Sequence, residues 1–150
     1  MKKFKFRLEK VLDHKIRLYE IAWSKHVEAM NILRREEAKL HSLRDTYKTC
    51  LFELATKMSK NFRIRELGPY YRYISFIKKE ITQQSQIVCQ ALQAEEARRK
   101  NLMHASKEKE VLNKLKDRRH DEYIYNLGRE EQKFLDDITG AKYARGLRSG

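Results

Sequence analysis

Turn-forming residues are almost missing from this chain. Its 150 residues include one proline, Pro69, and five glycines. Neither type occurs between Phe4 and Asn61, and after Gly68 the next glycine is Gly128. A compact α/β domain needs many more turn residues, so that class is excluded. Long apolar runs are missing too: none exceeds three residues, whereas a membrane-spanning helix needs about 20. The opening Met1-Lys2-Lys3-Phe4-Lys5-Phe6-Arg7 has charge but not the apolar block of a signal peptide. These absences predict a cytoplasmic protein without membrane insertion.

Signals for catalysis are also lacking. There is no Walker-type phosphate loop, HExxH, GxSxG or CxxC. The five histidines, His14, His26, His41, His104 and His120, never fall at i, i+3 or i, i+4. We therefore expect no catalytic, metal-binding or cofactor-binding residues. Cys50 and Cys89 fit a reducing compartment as free thiols.

What is present points to long helices. Charged residues make up 37% and hydrophobic ones 41%, with Leu, Lys, Glu, Arg, Ala and Gln recurring throughout. That is the profile of a coiled coil, and the eight Tyr, six Phe and one Trp argue against disorder. Proline is tolerated in the first turn of a helix and glycine just outside it. Gly68-Pro69 therefore predicts the turn of an all-α, antiparallel coiled-coil hairpin. Helix one would run over about 4–61 and helix two over about 69–138, with a basic, frayed tail at 141–150.

In the first arm one row steps by sevens through Leu12, Tyr19, His26, Leu33, Leu40, Tyr47 and Leu54. A companion row four residues on reads Ile16, Trp23, Met30, Glu37, Arg44, Leu51 and Met58. Together they predict a heptad seam. A flanking row (Leu8, Val11, Leu18, Ala29, Ile32, Leu43) has two readings, partial burial beside the seam or a second contact surface. The second arm's stripe passes through Tyr70, Ile74, Ile77, Ile81, Gln84, Val88 and Ala91. It weakens at Glu95 and Arg98 and resumes at Leu102, Ala105, Leu112 and Leu115.

With the turn at Gly68-Pro69, facing residues have numbers adding to about 130 to 134; Cys50 and Cys89 add to 139, so no disulfide is expected. The same register sets Arg34 and Arg35 near Glu95 and Glu96, and Glu36 and Glu37 near Arg98 and Arg99. These pairs predict a polar waist, less rigid than either end. The second arm outruns the first by two or three turns, and Gly128 permits a bend where pairing ends.

Net charge is +13, divided as +9 over residues 1–75 (18 basic, 9 acidic) and +4 over 76–150 (16 basic, 12 acidic). Lys2, Lys3, Lys5, Arg7, Lys10, Lys15 and Arg17 make the start the densest part. Cations at a helix N-terminus oppose its dipole. The cluster is either a solubilising terminus or the counterpart of something acidic. Acidic residues interleave along both arms, which disfavours nucleic acid as the main partner. Phe62, Tyr70, Tyr71, Tyr73 and Phe76 crowd the turn on more than one face, with Tyr47 and Phe52 close by. They either cap the hairpin or form an interaction patch.

The opening Phe4-x-Phe6-x-Leu8-x-x-Val11-Leu12 resembles the start of FliJ-type flagellar export proteins. The closing Glu130-Glu131-Gln132-Lys133-x-Leu135-Asp136-Asp137, followed by a basic tail, is similar to their ends. The resemblance implies a fold like the two-helix coiled coil of the rotary ATP synthase γ subunit. It implies a non-catalytic stalk of type III export, at the inner membrane. Its partners would be the hexameric export ATPase, the export-gate membrane protein and export chaperones. On this chain the ATPase-binding end would comprise Phe4, Phe6, Leu8, Val11, Leu12, Tyr123, Leu127 and Phe134. The gate- or chaperone-binding surface would comprise Leu40, Leu43, Tyr47, Tyr73, Ile77 and Gln84. The alternatives are a general coiled-coil adaptor, chaperone or spacer, and a basic coiled coil that binds nucleic acid.

Overall fold

The computed structural model describes residues 2–60 and 63–148; Phe62, part of the aromatic cluster above, lies outside them. Two helices, α1 (Glu9–Met58) and α2 (Ile64–Arg148), pack antiparallel as a helical hairpin. The chain divides into two units. One holds the residues up to Tyr19 and those from Ala105 onward, and the other is Glu20–His104.

Helix α1 begins five residues later than the sequence predicts, and charge explains why. Lys2, Lys3, Lys5 and Arg7 would sit on the positive end of the dipole, whereas Glu9 stabilises it. The entry is closed by Glu9 N–H donating to the Phe6 carbonyl (3.2 Å) and Leu12 N–H to that of Leu8 (2.9 Å). At the far end the Ser59 hydroxyl donates to the Thr56 carbonyl at 2.7 Å, and Lys60 N–H to Lys57 at 3.2 Å. Main-chain groups left over by the last turn of α1 are satisfied this way.

The reversal falls between Met58 and Ile64, just before Gly68-Pro69, and Pro69 lies inside α2. Among the described residues no glycine has positive φ, so Gly68 acts as an ordinary helical residue. Glu66 in the first turn favours the earlier start. Pro69 nevertheless removes the N–H that would bond Arg65 and crowds that carbonyl. Pro69→Ala is accordingly expected to raise the unfolding free energy by about 1–3 kcal/mol, measured by urea titration. At the other end, residues 141–148 continue the helix where fraying was expected. Lys142, Arg145 and Arg148 favour this, being cations at the negative end of the dipole.

Moving the reversal moves the register. Glu36 meets Gln84, His26 meets Glu95, Lys15 meets Glu108 and Glu9 meets Lys116, so facing numbers add to 120–125. The expected pairs of Arg34 and Arg35 with Glu95 and Glu96, and of Glu36 and Glu37 with Arg98 and Arg99, are replaced. Cys50 is buried, Cys89 is exposed and both are free thiols.

The Leu12-to-Leu54 row of α1 is buried or half-buried at every position. Its companion is not the Ile16-to-Met58 row. It is the row three residues on, Lys15, Ala22, Ala29, Glu36, Leu43, Cys50 and Lys57, none of them exposed. Trp23, Leu51 and Met58, assigned to the seam by sequence, are 53%, 40% and 45% exposed. Alaninyl and thiol side chains let the helices approach, while Lys15 and Lys57 lay their stems along the contact. In α2 the expected stripe is found, with Glu95 buried and only Arg98 exposed. The best-packed part of the Glu20–His104 unit is Cys50, Leu54, Leu67, Ile74 and Ile77, flanked by Tyr47, Tyr70 and Ile81.

Candidate functional site

The terminal end is built by laying the non-helical start of the chain on α2. Phe4 meets His120 edge-on at 5.1 Å and Tyr123 at 5.7 Å between ring centroids. The Tyr123 hydroxyl donates to the Lys2 carbonyl at 2.7 Å, so the segment is held at two points. Ion pairs continue the clamp: Lys116 to Glu9 at 3.0 Å and Lys15 to Glu108 at 2.7 Å. The Lys109 ammonium stands 3.9 Å from the centre of the Tyr19 ring. A cleft of about 470 Å³ opens beside Phe4, Phe6, Arg7, Leu115, Arg119 and Tyr123. Its lining is aromatic and mainly cationic, with Lys5 and Arg7 beside an Arg119 that pairs with Glu122 at 3.2 Å, which suits an apolar segment bearing carboxylates.

The terminal-end residues singled out by sequence divide by exposure. Phe4, Phe6, Leu8, Tyr123 and Leu127 are half-buried, and Leu12 is buried in the seam. Val11 and Phe134 face outward, at 43% and 66% exposure. His120 and Arg119 were missed, because neither lies in an apolar row. Only the position of Phe4 reveals them.

The second set is mostly internal. Leu40, Ile77 and Gln84 are buried in the seam, and Leu43 and Tyr47 are half-buried. Gln84 donates to the Glu36 carboxylate at 2.6 Å and to the Glu36 carbonyl at 2.9 Å. The first of these bonds, with Lys39 nearby, holds the Glu36 carboxyl below its ordinary pKa. Only Tyr73 presents its ring outward, together with its neighbours Tyr71 and Phe76. Tyr70, by contrast, is half-buried with the Lys57 ammonium 4.9 Å over its ring. Tyr70 thus packs on the hairpin, whereas the rings of Tyr71, Tyr73 and Phe76, and that of Phe52 close by, are left to solvent. Among the described residues no helix is long and apolar enough to cross a membrane.

The sequence pattern of the family described as "Flagellar FliJ protein" matches residues 4–148. No individually curated sequence matches. Among solved structures, one described as a YscO homolog from Chlamydia trachomatis is similar. It is 18% identical, with a TM-score of 0.61 covering 99% of this chain and 100% of that one. At that identity the likeness speaks for the fold.

Proposed function

The chain belongs to the flagellar FliJ family, components of type III protein export, and from that premise we propose that it acts as a non-catalytic stalk. In this reading the terminal end engages the hexameric export ATPase, and the other end meets the export gate or export chaperones. The work takes place at the cytoplasmic face of the inner membrane. The observation that carries the reading is the clamped N-terminal segment. Phe4 and Tyr123 fix a cationic, non-helical segment on α2, beside a cleft with aromatic walls. A preorganised basic and aromatic end suits an acidic ring, since little ordering remains to be done on binding. An asymmetric two-helix body inside a six-fold ring makes unequal contacts with its subunits, and unequal contacts bias their nucleotide states.

The test is ATP turnover and hexamer formation by the partner ATPase, titrated with this protein. Both should rise, and Phe4→Ala or Leu8→Ala should weaken the effect several-fold. An ATPase indifferent to saturating protein contradicts the stalk. A second reading, an adaptor that holds the gate or a chaperone, is favoured by the exposed Tyr71, Tyr73 and Phe76. Tyr73→Ala or Phe76→Ala would then abolish gate or chaperone binding and leave ATP turnover unchanged.

A further inference from the structure

From Gly128 to Arg148 every residue of α2 is exposed. The segment is nonetheless helical throughout and carries an apolar stripe. Leu127, Phe134, Ile138 and Ala141 follow one another at spacings of seven, four and three, which places them on one face. Leu127 is half-buried, so the stripe runs on from the intramolecular contact, while Phe134 and Ile138 are 66% and 38% exposed.

Charge along this segment is sorted. Glu130, Glu131, Asp136 and Asp137, against Arg129 and Lys133, leave its first part net acidic; Lys142, Arg145 and Arg148 make its last part basic, with no acid among them. A copy laid alongside in parallel would set acid on acid and base on base. An antiparallel copy sets each part on its opposite. We propose that this segment pairs with the same segment of a second copy of the chain, antiparallel, about a two-fold axis between Ile138 and Ala141. Ile138 then packs on the second copy's Ala141. Asp137 faces the second copy's Lys142, and Glu131 faces its Arg148. Each contact occurs twice by symmetry.

The segment already has its helical conformation as the end of α2, so pairing has little conformational ordering to oppose it. The contact is short, about 30 Å of helix, which puts it in the weak, reversible class of interfaces. The pairing does not depend on the stalk reading, and its test contains no ATPase.

The experiment is sedimentation equilibrium on the full chain, from low micromolar to near-millimolar protein, at low and high salt. A reversible dimer that weakens with salt is expected, because its charge pairs are partly solvated. Two variants reverse the two parts: Glu131→Arg with Asp137→Lys, and Lys142→Glu with Arg148→Glu. Each alone should weaken self-association at least about tenfold, through four reversed pairs. All four positions are exposed, so circular dichroism should show the hairpin unchanged. Mixing the two variants should restore dimers, now of one copy of each. A chain that stays monomeric at near-millimolar concentration and low salt overturns the proposal. So does a dimer indifferent to both reversals, or a mixture that does not pair.

Discussion

Ile77→Ala should lower the free energy of unfolding by about 2–5 kcal/mol, the range for deleting a large aliphatic side chain from a packed site. Ile77 is 2% exposed, the most enclosed of the buried hydrophobic side chains, and it packs with Cys50, Leu54, Leu67 and Ile74. Its loss leaves a cavity between two helices that are held by the remaining seam. A seam has few neighbours to collapse into such a gap, so the upper half of the range is expected. Four residues earlier, Tyr73 is 47% exposed, and Phe76, immediately before Ile77, is 57% exposed. Alanine at either should change stability by less than about 1 kcal/mol. Urea unfolding followed by circular dichroism separates the cases. Equal losses at Ile77 and Phe76 would place the seam on the wrong face of α2.

The second large effect concerns a polar layer in the seam. His26 and Glu95 meet at 3.1 Å with side chains only 14% and 11% exposed. Glu95→Ala leaves the His26 ring without its partner, and His26→Ala leaves a nearly enclosed carboxylate. Each should cost about 1–3 kcal/mol. His26→Leu with Glu95→Leu together restores an apolar layer, and should recover the loss and add up to about 4 kcal/mol. The two positions therefore give a strongly non-additive double-mutant cycle. Additive single losses would show that the pair is not a unit. With Gln84 on Glu36 it forms one of two polar layers, and a slip of one heptad breaks both. Polar layers of this kind commonly fix register at some cost in stability.

The hairpin was legible in the sequence because breakers are so rare and the Leu12-to-Leu54 row so regular. The register was not, for two physical reasons. A single-helix heptad row accepts a companion three or four residues away, and which one faces the partner is decided by packing between helices. Trp23, Leu51 and Met58 made the fourth position look better, yet the seam takes Ala22, Ala29 and Cys50. The second reason is Pro69, the strongest local breaker, which α2 absorbs within its early turns. Once the reversal moved before Ile64, every cross-helix pair moved with it.

The terminal site was legible in part. Phe4 and Tyr123 were marked by aromaticity, and they do meet. His120 was not, since a lone exposed histidine has no periodic signature. At the other end Leu40, Ile77 and Gln84 came from the family resemblance and are buried, whereas Tyr71, Tyr73 and Phe76 turn their rings outward.

On the proposed stalk reading, the terminal end is the one that meets the export ATPase. Photo-crosslinkable residues replacing Phe134 and, separately, Phe76 test it directly, with the purified ATPase hexamer and ATP present. Both positions are exposed, so neither replacement disturbs the seam. Crosslinks from position 134 to the ATPase, with none from position 76, are the predicted result. Crosslinks from position 76 alone would contradict it and reverse the assignment of the two ends.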